Sequence, residues 1–484
     1  MNDDGRDDRR WSRLSTDQVW ILIAWIVPAV AVLLAKVPTE DLAYQVRAGA
    51  LMLQRGHILR TDPFTFTVFG TRWVDQQWGA QILLDMLHRP FGWPGLVLVR
   101  AALVAGAFGV VCLWARRASR DAMVAACLTL GAFVVATFLP GTLALRPQLL
   151  AVVPFLATMW IVRERAAHPR RLAWLPVIAL VWANLHGSFV LLPLIVGIAF
   201  VADTVGRTPT RRWTGVATLA GVLVPLANPW GPGIYGYLFR LSTAPIVREV
   251  IYEWRPLWRQ WPAGPVFLLA TAILAWLLLR GTLRRPTLEE TLGFAVFTTL
   301  AIASGRNLLW WSLYIPPVMG GMWTLRRDRA VDRSPLASAV AALLALLLVL
   351  GFVRVATVSP PEALLSQAPS GITAELTRVA TAKSRLFDGW WGSWFEFAVP
   401  KLRMFDDSRA EIFPSSLWDD YFRISGGQPG WDATLDRWKI GVVVASVEHQ
   451  SPLIVLLERD PAWRETYRDP EGAVFVRVAP KSSA

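Results

Sequence analysis

Eleven apolar stretches, each near the ~20 residues that an α-helix needs to cross a hydrocarbon core about 30 Å thick, constrain this chain more than any motif it carries. They lie near 18–37, 94–115, 122–140, 147–162, 172–186, 188–205, 213–229, 262–280, 287–304, 307–323 and 336–357. The fifth and sixth are separated only by Leu185, His186 and Gly187, which predicts a tight helical hairpin. No small-residue cleavage site follows the first stretch, so it reads as a retained anchor and not a removed signal peptide. Such a chain is expected to be a polytopic α-helical membrane protein.

Basic residues assign the sides. With the N-terminus inside, inner segments hold Arg6, Arg9, Arg10 and Arg13; Arg116, Arg117 and Arg120; Arg163, Arg165, Arg170 and Arg171; Arg207, Arg211 and Arg212; Arg280, Arg284 and Arg285; and Arg326, Arg327, Arg329 and Arg333. The short outer connections near 141–146, 186–187 and 305–306 hold only Arg146 and Arg306. This is the positive-inside pattern, and an odd number of spans puts the C-terminal region outside. The 49 Lys+Arg against 36 Asp+Glu give a net charge of +13. The inner segments account for nearly all of it, so the charge is a topology signal against an anionic inner leaflet. It does not indicate a nucleic-acid partner, for which no motif is present.

The expected organisation is a cytoplasmic segment 1–17, a transmembrane domain 18–357 and an extracytoplasmic domain 358–484. Two further outer segments, 38–93 and 230–261, are too long to be mere connectors. The first includes an amphipathic run over 76–89, with Trp78, Ile82, Met86 and Leu87 able to share one face in the membrane interface. In the tail, 402–405, 440–445 and 473–478 read as strands, and 416–424, 433–438 and 453–459 as helices, which predicts a small α/β domain.

No phosphate-cradling P-loop or dinucleotide-binding glycine motif is present, and the five histidines lack metal-ligand spacing. Cys112 and Cys127 read as small packing residues toward the inner side.

The polar residues at span ends carry more information, because polar groups at membrane depth are costly. Asp41, Arg146, Gln148, Asn184, His186, Asn228, Arg306 and Asn307 all fall at outer ends, which predicts an outward-facing polar cavity. Each has a plainer reading: arginines at span ends snorkel to headgroups, Asn228 begins a helix stop with Pro229, and His186 can bond its own loop. The first outer segment adds Glu40, Gln45, His57, Asp62 and Asp75. Acids placed directly after a first span suit a general base or a divalent cation such as magnesium or manganese. Glu40 and Asp41 equally suit the cap of a following helix. Trp390, Trp391 and Trp394 lie in the tail, where aromatic faces suit sugar rings.

At these residues the sequence resembles bacterial membrane proteins of the GT-C glycosyltransferase superfamily, which includes protein O-mannosyltransferases, oligosaccharyltransferases and aminoarabinose transferases. The resemblance rests on 41–49, 56–64, 70–78, Arg146 to Gln148, 182–187 and Asn228-Pro229. In the tail it falls on Phe405, Asp406, Asp407 and Arg409, and on 463–477. Gln45 stands where many members have His, and Leu59 where many have Pro.

The resemblance implies an inverting transferase at the outer face of the bacterial cytoplasmic membrane. Its donor would be a polyprenyl-phosphate-linked sugar and its acceptor an envelope glycan, lipid or protein. In that reading Asp41 is the catalytic carboxylate, and Arg146 and Arg306 receive the donor phosphate. Glu40, His57, Asp62 and Asp75 orient the acceptor or a cation. Gln45, Gln148, Asn184, His186, Asn228 and Asn307 line the cavity, and Trp391, Asp407 and Arg409 serve the outer domain. The same residues could serve a lipid or glycolipid translocator, or a scaffold that holds an envelope-assembly protein partner.

Overall fold

A computed structural model describes residues 14–325 and 335–478. The inner-side arginines expected at 6, 9, 10 and 13 and at 326, 327, 329 and 333 lie outside the described residues. Every apolar stretch contains a helix. Four helices are long and apolar enough to cross a bilayer on those grounds: Thr16–Leu34, Trp78–Ser119, Gly187–Val205 and Pro335–Thr357. Others are shorter. Leu175–Leu185 rises only about 17 Å at 1.5 Å per residue and is lengthened by the 3₁₀ turn Pro169–Trp174 before it. The hairpin at 185–187 is present, with His186 between the helix Leu175–Leu185 and the 3₁₀ turn Gly187–Val190.

The chain forms two compact units, neither of them a continuous stretch of sequence. One comprises 1–35, 98–143 and 255–357. It is a helical bundle around Leu308–Met322, nearly all of whose side chains are buried. Its peripheral helix Pro335–Thr357 leaves Leu343, Leu346, Leu350 and Phe352 exposed, as expected for a helix that faces lipid. Cys112 packs among Ala24, Ala115, Ala125 and Ala126, whereas Cys127 is exposed.

The second unit comprises 36–97, 144–254 and 358–484, so the tail groups with the first long outer segment. A two-residue strand β1 (Val37–Pro38) pairs in parallel with β2 (Leu365–Ser366). The tail then builds a five-stranded sheet from β3 (Arg385–Asp388), β4 (Arg403–Met404), β5 (Val442–Ser446), β6 (Trp463–Arg468) and β7 (Gly472–Arg477). Its order is β4-β3-β5-β7-β6, parallel across β4, β3 and β5 and antiparallel beyond. The apolar run of β5 is wholly buried, as a central strand covered on both faces requires. Thr65 of the first outer segment adds a parallel bridge to Met404 on the β4 edge, which protects that edge from pairing elsewhere.

The helix Trp78–Ser119 breaks at Gly92, where φ is 58° between Pro90 and Pro94. That left-handed backbone suits glycine. The amphipathic run is helical; its buried face mixes Ala80 and Leu84 with Gln81 and Asp85, while Leu83, Met86 and Phe91 are exposed.

Candidate active site

The site begins at the helix Leu42–Arg55. A helix leaves its first N–H groups without internal partners, and the sequence offers Asp41 to cap them. Asp41 occupies the cap position but makes no capping bond with its side chain. The amide of Tyr44 instead donates to Ser393 Oγ of the tail at 3.1 Å, and the amide of Ala43 donates to the Thr39 carbonyl at 3.0 Å. The tail fixes the approach to this helix as well. Thr39 Oγ1 donates to the carbonyls of Ser366 and Gln367 at 3.0 and 2.7 Å. On the far side Gly49 touches the next helix. A Cβ there would lie 2.1 Å from the Gln81 carbonyl oxygen, so only glycine allows this approach.

Released from capping, the Asp41 carboxylate accepts from Arg146 Nη1 at 3.1 Å and remains 36% exposed. The guanidinium's other nitrogen, Nη2, donates to Glu253 Oε2. Arg146 is buried, so it is a charge held between two carboxylates, one facing solvent and one inside. The positive end of the helix dipole also lies beneath Asp41. Glu40, next in the chain, keeps solvent access but is crowded by protein. Its carboxyl is pushed up to about 7, first by burial and then by the Asp41 charge, while a bond from Gln367 and the Arg146 charge pull the other way.

A second polar group sits where the tail meets the first outer segment. Arg409, 2% exposed, donates from Nε to both Asp407 oxygens at 3.0 and 3.1 Å and from Nη2 to Asp62 at 2.6 Å. Its guanidinium lies 4.5 Å from the Trp73 ring and 5.0 Å from that of Phe64. Asp62 also accepts from the amides of Phe64 and Thr65 and from Thr65 Oγ1. Its oxygens are therefore spent on an internal ion pair and turn, and the acceptor or cation role expected of Asp62 is not the one this geometry serves. Asp75 is similarly buried and accepts from Gln81 at 2.8 Å. Burial pushes its carboxyl up to about 8 against the opposing pull of Arg409.

The remaining expected residues divide. Gln45, on the helix that Asp41 caps, is buried and donates to Tyr44 Oη at 2.5 Å and to Gln77 at 3.0 Å, just before the helix Trp78–Ser119. Gln148 is buried two residues beyond Arg146. Asn184 accepts from Trp78 Nε1 at 2.8 Å. His186 bonds the amide of Ser188 within its own turn at 3.0 Å, the plainer of its two readings. Asn228 also serves its turn, accepting from the Trp230 amide at 2.7 Å. His57 is exposed beside the end of its helix and contacts only the neighbouring Ile58 carbonyl among its hydrogen bonds described here. Arg306 and Asn307 belong to the helical unit, in the turn Gly305–Asn307, where Asn307 donates to the Leu300 carbonyl at 3.0 Å.

Among the described residues no three His, Cys, Asp or Glu side chains are grouped to hold a metal ion. The acids expected to hold a cation are divided between Arg146 and Arg409 and do not form a cage, so no chemical step is assigned to one.

Sequence reasoning missed Glu253, whose only signal was an acid in an aromatic and Arg-rich outer segment. It also missed Ser393 and Gln367, which nothing local marks. In the tail, Trp391 and Trp394 are buried, with the Trp391 amide donating to Asp388 and Trp394 Nε1 to Thr373. Only Trp390, at 40%, is exposed.

No protein-family model matches this chain, and no curated protein does. Solved structures do match it. The arabinofuranosyltransferase AftD from mycobacteria, determined by single-particle cryo-EM, aligns over 97% of the chain with a TM-score of 0.50 at 15% identity. The chain spans 40% of that protein's length. At such identity the likeness is one of fold. The chain shares its fold with a mycobacterial arabinofuranosyltransferase.

Proposed function

We propose that this chain is an inverting glycosyltransferase that moves a sugar from a polyprenyl-phosphate donor to an envelope acceptor at the outer face of the cytoplasmic membrane. The observation that carries the reading is Asp41, a carboxylate relieved of capping, a third exposed and held by a buried arginine. The acceptor hydroxyl oxygen attacks the anomeric carbon opposite the phosphate. As that bond forms, the carbon–oxygen bond to the phosphate breaks, the electron pair leaves with the phosphate, and the proton passes to Asp41. A carboxylate, though a weak base, suffices where bond cleavage runs ahead of proton transfer, in an oxocarbenium-like transition state.

Arg146 couples the two events. When Asp41 takes the proton it loses its charge and its hold on Nη1 weakens. That nitrogen can then serve the departing phosphate, whose negative charge has by then developed. Glu253 keeps the guanidinium in place meanwhile. Glu40, titrating near neutrality, orients the acceptor hydroxyl.

The test is Asp41→Asn in the purified, membrane-reconstituted chain. Removing a general base lowers rates by roughly 10²–10⁴-fold, so turnover should fall by that much while donor binding stays within a few-fold. Full glycosyl transfer by Asp41→Asn would overturn the mechanism. Lipid movement across the bilayer that persists unchanged, with no transfer by either protein, would support the translocator in its place.

A further inference from the structure

The parallel part of the tail's sheet has a feature the mechanism above does not use. From β3 the chain crosses to β4 on one side and later returns as β5 on the other, so β3 is a topological switch point. In open α/β sheets the crevice outside the carboxyl ends of the strands at such a point is the usual ligand site. Here that end carries Asp388, closing β3, with Gly389 and Trp390 after it; Asp406, just past β4; and Ser446, closing β5 and leading to His449.

The groups there are built for a ligand. Trp390 presents 40% of its surface, with its ring backed by His449 at 3.8 Å and its amide donating to Asp388 at 3.3 Å. Asp406 is only 7% exposed, yet its Oδ1 finds no hydrogen-bond partner among the described residues. A ligand hydroxyl would give that atom the partner it lacks. Tyr421 borders the crevice, donating to the Gly389 carbonyl at 2.6 Å, and it senses the charges of Asp406, Asp388 and Glu40 together. The crevice is thus within electrostatic reach of the Glu40–Asp41 site, in the same compact unit.

We propose that this crevice is a carbohydrate subsite that holds a neutral glycan acceptor, with a sugar ring stacked on Trp390 and its hydroxyls bonded by Asp406. A flat exposed indole backed by a second ring matches the face of a sugar. Buried acids match hydroxyls, which donate and accept together, and they disfavour anionic chains. Burial raises both the Asp388 and Asp406 carboxyls, Asp388 to about 7, which favours their neutral over their charged forms. This assignment rests on the transferase reading and narrows its acceptor to a glycan.

The test uses the full chain in nanodiscs and a panel of neutral tetra- to hexasaccharides, pentofuranose and hexopyranose, α- and β-linked, with binding read by saturation-transfer NMR. At least one should bind, with Trp390→Ala raising Kd tenfold or more, Trp390→Phe retaining most affinity and Asp406→Asn losing several-fold. Asp41→Asn should bind as the parent does. The subsite is overturned if no oligosaccharide binds, if Trp390→Ala binds as tightly as the parent, or if an unglycosylated peptide displaces the glycan from Trp390. Donor consumption measured alongside separates the two readings. Trp390-dependent binding without any Asp41-dependent transfer would sink the transferase and keep the subsite, and Asp41-dependent transfer with binding indifferent to Trp390 would do the reverse.

Discussion

Removing Arg409 should loosen the tail from the first outer segment, and the structure sets the size of the effect. The guanidinium is 2% exposed and bonds two carboxylates, Asp407 and Asp62, whose side chains are wholly buried. Arg409→Ala leaves both acids buried without a counter-charge. Breaking a buried pair from one side costs about 3–5 kcal/mol, because the remaining charge has neither water nor partner. At roughly 2–4 °C per kcal/mol for a unit of this size, the melting temperature should drop by roughly 6–20 °C. Arg409→Lys should recover part of this, since one ammonium cannot reproduce a planar fork that reaches both acids. The triple variant Arg409→Met, Asp407→Asn, Asp62→Asn should recover more, because it removes the stranded charges as well. Thermal unfolding of the detergent-solubilised chain, followed by tryptophan fluorescence, measures all three. A loss below about 1 kcal/mol for Arg409→Ala, or a triple variant no better than the single one, would refute the account of a buried ionic lock.

Asp75 should make stability pH-dependent in the direction opposite to a salt-bridged acid. Its carboxyl rises from its ordinary 3.8 to about 8, so the folded state holds a proton the unfolded chain releases, and stability falls as pH rises from about 4 to 8. Asp75→Asn should therefore gain over the parent increasingly across that window, as melting curves at a series of pH values will report; a gain constant with pH would contradict the assignment. Gly49→Ala places a methyl 2.1 Å from the Gln81 carbonyl oxygen, and backbone must shift to admit it. The variant should melt lower and transfer more slowly than the parent, and unaltered melting would show that the two helices are not held at this spacing.

The helical character of every apolar stretch, the hairpin at His186 and a small sheet in the tail were legible in the sequence because each follows from local pattern. Hydropathy sums along a segment, and strand alternation needs only neighbours. β3 and β6 escaped notice, since β3 is four residues and β6 is largely polar with mostly exposed or half-buried positions. Asp41 and Arg146, both named from the sequence, are bonded to each other in the structure, but nothing local in the sequence indicated that partnership. Asp62 and Asp41 look alike as acids in one outer segment. The fold gives one to Arg409 inside the protein and the other to Arg146 at a solvent-facing edge.

What the sequence by itself determined, then, was a helical membrane chain with a small α/β region in its tail and a set of polar residues at the ends of its apolar stretches. What only the tertiary structure decided was which acid stays available. Asp41 meets Arg146 across 105 residues, Arg146 meets Glu253 across 107, and Arg409 meets Asp62 across 347. Charge pairing acts through space and falls off over a few ångströms, so no local reading of the chain can assign it.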